Sequence, residues 1–262
     1  MSGVCIAGIP VPVIGQNKHV AWGFTNTMVD DVDFFIETIN PDNKNEYRHD
    51  DKWLPMTVLE ETIPLKNGED TTIVIRLTHH GPIISDIHSL LRNDDTAMSM
   101  SWTGHWVTKE MDAWVGINTM ENWDDFTKSL NNFGVPGQNI VYADADGNIG
   151  WRPAVFVPVR KEGFSMVPRP GNDSQYDWKG KVPYSQMPYL FNPPTGYIST
   201  ANNKTIGDNF PYYISGLWAD PSRAEQIKKR LDTLVNATVE DMKSIQLELT
   251  SPFAQEITPY IL

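Results

Sequence analysis

The sequence predicts an α+β fold, and three observations carry that prediction. Strand and turn patterns fill roughly the first two-thirds of the chain, helical patterns close it, and strands do not alternate with helices as a parallel α/β sheet requires. Residues 10–14 are apolar, Gly15-Gln16-Asn17-Lys18 reads as a turn, and 19–25 return as a strand, so the chain opens on a hairpin. Residues 34–38 and 72–78 have strand composition, and Lys66-Asn67-Gly68 supplies a turn before the second of them. Residues 98–102 and 113–117 read as two more strands. Residues 120–133 differ: Trp123, Phe126, Leu130 and Phe133 fall at helical spacing, with Gly134 as the stop. Residues 139–143 and 149–159 flank a turn running from Asp144 to Asn148, and Pro153 interrupts the return strand.

The stretch 168–194 is rich in Pro, Gly, Tyr and Trp and reads as a long surface-wrapping loop. Asp220 caps a helix with Pro221 at its first position and the stripe Ile227, Leu231, Leu234. Thr238 with Asp241 has the form of a capping box opening a second helix through Met242, Ile245 and Leu249. The last residues, up to Ile261 and Leu262, carry no polar tail, and residues 1–262 are expected to be a single domain truncated at both ends.

Composition narrows the class without naming a reaction. A net charge of −12 with no Lys/Arg-rich run repels phosphate backbones and anionic lipid, which argues against nucleic-acid and membrane-surface binding. No apolar run reaches the roughly 20 residues that cross a bilayer. The start, Met1-Ser2-Gly3-Val4-Cys5, shows no signal-peptide pattern. The single cysteine, Cys5, excludes an internal disulfide and is expected to be a small buried residue.

Five ordered segments point further. They are Gly15-Gln16-Asn17-Lys18-His19-Val20-Ala21-Trp22-Gly23-Phe24-Thr25-Asn26 with Asp30-Asp31-Val32-Asp33; Thr78-His79-His80-Gly81-Pro82-Ile83; and Gln138-Asn139-Ile140-Val141-Tyr142-Ala143-Asp144 with Gly147-Asn148-Ile149-Gly150. Asp177-Trp178-Lys179-Gly180 with Pro188 and Asn192-Pro193 follows, and Gly196-Tyr197-Ile198-Ser199-Thr200-Ala201-Asn202-Asn203 with Arg223 closes the series. Together they resemble the β chain of the penicillin acylase family of N-terminal-nucleophile hydrolases.

The resemblance implies part of a four-layer αββα fold and hydrolysis of linear amides by an N-terminal Ser whose own α-amine acts as base. No cofactor is needed for that chemistry. It implies an oxyanion hole built from the backbone N–H of Asn26 and the side-chain amide of Asn202, with Arg223 orienting the site. It also implies a structural calcium held by Asp30, the carbonyl of Val32 and Asp33. Substrates of the penicillin or N-acyl-homoserine-lactone type are expected, as is a periplasmic setting for the parent family.

Gln16 departs from a common family His. The nucleophile and the α chain have no counterpart here, so the chain is expected to be inactive alone. It would then be a truncated product, a subunit completed by partners, or a non-catalytic remnant with a binding role.

Each of these residues also suits an ordinary structural role. Asn202 suits an ordinary turn, Arg223 a surface salt bridge, and Asp30, Asp31 and Asp33 a solvated acidic loop. Ser2, exposed if Met1 were removed, imitates the nucleophile but stands in the wrong part of the pattern. His79 and His80, read as strand neighbours, should face opposite ways and share no ion.

Overall fold

The computed structural model describes residues 1–88, 91, 97–161 and 166–262. Its strands are β1 (Ser2–Val4), β2 (Ile14–Gln16), β3 (Val20–Asn26), β4 (Val32–Glu37), β5 (Glu46–His49), β6 (Lys52–Pro55), β7 (Thr57–Ile63), β8 (Thr71–Leu77), β9 (Ala97–Trp102), β10 (Gln138–Asp144), β11 (Ile149–Ala154), β12 (Arg169–Pro170) and β13 (Leu190–Phe191). Its α-helices are α1 (Glu110–Thr119), α2 (Trp123–Leu130), α3 (Ser222–Leu231), α4 (Val239–Gln246) and α5 (Pro252–Ile261). The fold is α+β, as expected.

One large sheet organises the centre. A six-stranded sheet runs β1-β2-β3-β10-β11-β13 and its paired strands are antiparallel. A second sheet, β12-β4-β9, and the hairpins β5-β6 and β7-β8 lie outside it. Strand alternation splits the large sheet into two faces. Val20, Trp22, Ile140 and Tyr142 pack on Trp114, Ile117, Phe126 and Leu130 of α1 and α2. The opposite face carries Val141 and Trp151, which pack with Val157, Met187, Ile206 and Ile214 from the loops that follow β11.

Local chemistry sets the opening hairpin. Gly15 and Gln16 belong to β2 rather than to the turn. The reversal rests on Asn17, whose Oδ1 accepts from the N–H of His19 at 2.8 Å and of Val20 at 2.9 Å. Its Nδ2 donates to Met120 O at 2.7 Å, which ties the hairpin to the segment after α1. β11 stops at Ala154. Pro153 stands opposite Asn139 in β10, while β13 reaches only Gly150 and Trp151, so the proline's missing N–H faces an open edge.

Residues 113–117, read as a strand, form the middle of α1. Ala113, Trp114, Ile117 and Asn118 are buried, which is the spacing of one helix face. The β-branched Val115 and Ile117 suggested extension, and packing against α2 and the sheet decided otherwise. Helix α2 is shorter than its periodicity predicts. Asn122 caps it by accepting from Asp125 N–H at 3.0 Å, and it ends at Leu130. Gly134 lies beyond the helix, and its N–H donates to Glu110 Oε1 at 3.0 Å, joining the two helices.

Helices α3 and α4 stand where the sequence puts them, but Pro221 caps α3 instead of opening it, Leu234 and Leu249 fall beyond their helix ends, α5 was not expected, and all three pack loosely. Asp220 accepts from Ser222 N–H at 3.0 Å, and the capping box at Thr238 and Asp241 is formed. None of α3, α4 or α5 buries a residue. No helix among the described residues is long and apolar enough to cross a membrane. Cys5, expected to be buried, is exposed in the loop after β1.

Candidate active site

The candidate site lies at the end of β3, on the sheet face opposite α1 and α2. Thr27 N–H donates to Gly137 O at 3.1 Å, and Asn26 stands opposite Gln138. That makes Asn26 and Gln138 a non-hydrogen-bonded pair of the ladder, so the N–H and C=O of Asn26 both point away from β10. On that side β2 pairs only as far as Trp22. The Asn26 side chain takes the other face, where its Oδ1 accepts from Gln138 Nε2 at 3.1 Å. Asn26 therefore offers the site its backbone.

The loop before α3 delivers Asn202 to the same place. Asn202 has a left-handed φ of 62°, a conformation asparagine tolerates better than most residues. Its Nδ2 donates to Asn26 O at 3.1 Å. Arg223, in the first turn of α3, donates through Nη2 to Asn202 Oδ1 at 3.0 Å and to Ala201 O at 2.8 Å. Arg223 thus holds the loop through Ala201 and Asn202 rather than making a surface salt bridge. Thr25 Oγ1 donates to Thr200 Oγ1 at 2.9 Å, a second tie between strand and loop.

Asn139 lies in the third of the ordered segments, and the resemblance implies no role for it. It is fully buried, and all its hydrogen-bonding capacity is used. Nδ2 donates to Asn26 O at 3.2 Å and to Thr25 Oγ1 at 3.3 Å. Oδ1 accepts from Trp151 Nε1 at 3.1 Å and Thr205 Oγ1 at 3.3 Å. A buried asparagine inside an apolar strand is the sequence signal that could have marked it.

A cavity of about 710 Å³ opens beside Asn26, walled by Met28, Val29, Phe34, Trp102, Pro136 and Leu217. Met28 holds a left-handed φ of 54°, a strained conformation for a long side chain at the cavity wall. Asp31 also borders it; burial raises its carboxyl pKa, against hydrogen bonds from Trp102 and Thr103.

The acidic segment is not a solvated loop. Arg160 Nε donates to Asp33 Oδ2 at 2.7 Å, and its Nη2 donates to Asp30 O at 2.9 Å and lies 3.5 Å from Asp30 Oδ1. The Arg160 and Asp33 side chains are almost wholly buried. Trp178 Nε1 also donates to Asp33 Oδ2. Burial, then the charge of Asp30, pushes the nearby Tyr213 hydroxyl up to about 12. A dication bound by Asp30 and Asp33 would have to sit against this guanidinium, so the residues present fit an internal arginine better than calcium. Arg160 escaped the sequence reading because it lies 127 positions from Asp33.

His79 and His80 are placed differently from expectation. They form the tip of a tight turn beyond β8, closed by Thr78 N–H to Gly81 O at 2.9 Å. Gly81 has φ 139°, and a Cβ there would lie 2.2 Å from Met100 O, so this turn requires glycine. In a turn, unlike a strand, neighbouring side chains can converge, and the two imidazole centroids are 3.8 Å apart.

Comparison with known proteins identifies the family. The family model for penicillin amidase matches residues 1–261. The chain is 30% identical over 261 residues to an acyl-homoserine lactone acylase, QuiP, of Pseudomonas syringae pv. syringae (strain B728a), covering 98% of this chain and 31% of that protein. It is 33% identical over 231 residues to penicillin G acylase of Escherichia coli, covering 85% of this chain and 26% of that protein. The structure of a thermostable penicillin G acylase from Alcaligenes faecalis superposes with a TM-score of 0.76 at 26% identity, covering 91% of this chain and 42% of that one. The chain therefore spans about a third of the length of the curated relatives it matches. The family model covers all but the last residue, and the chain therefore belongs to the penicillin amidase family.

Proposed function

We propose that these 262 residues form the oxyanion-stabilising and acyl-binding part of an acylase that hydrolyses linear amides to a carboxylic acid and an amine. The observation that carries the proposal is the 3.1 Å contact between Asn202 Nδ2 and Asn26 O, oriented by Arg223. The N–H and C=O of one strand residue point the same way, so this contact brings the Asn202 amide beside the Asn26 N–H. Two donors bordering one point can stabilise the negative oxygen that forms when a nucleophile attacks an amide carbonyl. The apolar cavity beside Asn26 suits the acyl group. Phenylacetyl-type and fatty-acyl groups both fit that chemistry, so penicillin-like amides and N-acyl-homoserine lactones are the proposed substrate classes.

The nucleophile in this reading is an N-terminal Ser from outside the 262 residues, activated by its own α-amine. No cofactor takes part. The family's calcium site at Asp30, Val32 and Asp33 is read here as neutralised by Arg160.

The test is hydrolysis of a phenylacetyl anilide and of an N-acyl-homoserine lactone. The 262-residue chain alone should show no turnover. Embedded in a chain that supplies the N-terminal Ser, it should be active, and Asn202→Ala should then lose activity. Turnover by the isolated chain that disappears in Ser2→Ala would overturn the placement of the nucleophile.

A further inference from the structure

We infer that His49, His79 and Asp177 form a binding site for a late first-row transition-metal dication, with Zn²⁺ as the best-matched occupant. The three residues come from separate parts of the chain: the end of β5, the turn after β8, and the loop after β12. His79 Nε2 lies 3.3 Å from Asp177 Oδ1, and His49 Nε2 lies 3.7 Å from Asp177 Oδ2. One ligand atom from each residue falls within 4.8 Å of the others. Two imidazole nitrogens and one carboxylate oxygen are a donor set that zinc accepts, with a fourth position left for water. A tetrahedral site with bonds of about 2.0–2.2 Å spaces its ligand atoms about 3.3–3.6 Å apart, a separation the His79–Asp177 pair already has at 3.3 Å.

The surroundings already orient these ligands. His79 Nδ1 lies 3.1 Å from the Tyr47 hydroxyl, which leaves Nε2 turned toward Asp177. Asp177 Oδ1 is also 3.1 Å from Nε2 of the buried His80, whose Nδ1 is 2.9 Å from Glu37 Oε1. The same Glu37 oxygen accepts from Thr78 Oγ1 at 2.8 Å and Ser99 Oγ at 2.6 Å. Outer contacts that hold the ring and carboxylate of metal ligands in place are a regular feature of zinc sites. This site is separate from the Asp30, Val32 and Asp33 oxygens, although Trp178, which donates to Asp33, adjoins Asp177.

The experiment uses the full chain, stripped with a chelator and titrated with Co²⁺ as a visible probe and then with Zn²⁺. One Co²⁺ per chain with ligand-field absorption, displaced by Zn²⁺, is expected. His49→Ala and His79→Ala should each abolish that signal, and His19→Ala should leave it intact. His80→Gln should weaken Zn²⁺ by roughly 10–100-fold, as loss of an outer partner does. Asp177→Asn keeps the shape of the side chain and should weaken it more. Each variant is first matched to the parent by circular dichroism without metal; if His49→Ala or His79→Ala does not match, the comparison of His80→Gln with Asp177→Asn decides. Absence of the absorption band in the parent, or Zn²⁺ binding unchanged in the folded ligand variants, would overturn the assignment.

Discussion

Arg223 Nη2 and Asn202 Oδ1 lie 3.0 Å apart, and that contact decides which way the Asn202 amide points. A guanidinium only donates, so it must face the carbonyl oxygen of the amide. The NH₂ group is thereby directed at the end of β3, where it donates to Asn26 O. The arginine acts on the proposed chemistry through the asparagine.

Removing the amide should therefore cost rate more than binding. In a complete acylase containing this segment, Asn202→Ala is expected to lower kcat by about 10²–10³ with a smaller change in KM. Arg223→Gln should lower kcat less, because the amide remains but loses its orientation. Steady-state kinetics on a chromogenic amide check both, and an unchanged kcat in Asn202→Ala would remove Asn202 from the oxyanion hole.

Asn139 should be a stability position as well as a positioning one. Asn139→Leu removes four hydrogen bonds at a fully buried site and leaves the Trp151 indole N–H without its acceptor. An unsatisfied buried group costs about 1–3 kcal/mol, and more than one is exposed here, so a loss of about 3 kcal/mol or more is expected. Urea unfolding with Trp fluorescence measures it.

Arg160 should carry the stability that calcium would otherwise supply. Removing one partner of a buried ion pair costs about 3–5 kcal/mol, and Arg160→Gln leaves Asp33 buried without its countercharge. Added Ca²⁺ should leave the melting temperature of the parent chain unchanged. It should partly restore that of Arg160→Gln, whose carboxylates are then free to bind it. A rise in the parent's melting temperature with Ca²⁺ would show that the arginine does not replace the ion.

The histidine and carboxylate cluster sets an acid-side pH dependence. The folded pKa of His79 lies below its ordinary 6.5, chiefly through burial. The unfolded chain therefore takes up this proton first, and stability falls as pH drops from about 6.5 toward the folded value. Burial alone would raise Glu37, but hydrogen bonds from His80, Ser99 and Thr78 outweigh it and lower its pKa below 4.5. Its contribution is present above 4.5 and is lost as pH falls through the lowered folded value. His79→Gln should flatten the upper part of the profile and Glu37→Gln the lower part, read from melting temperature against pH in metal-free buffer.

What the sequence determined by itself is the local chemistry and the family pattern. Asn17 turns the first hairpin with its own side chain, Asn122 and Thr238 cap their helices, and each works within three residues of its partner. The ordered motifs also placed Asn26, Asn202 and Arg223, because a pattern spread along the chain survives where single residues carry little information. The segment 113–117 was misread because β-branched residues favour strands only until packing offers a helix face. Only the tertiary structure brought Asn139 beneath Asn26, set Arg160 against Asp30 and Asp33, and folded His79 and His80 into a turn that meets Asp177. Those partners lie tens of positions apart or more, and no local preference fixes such distances. They depend on how two sheets and their loops close around buried charge, where an unpaired group is too costly to leave and a partner must be found wherever the fold provides one.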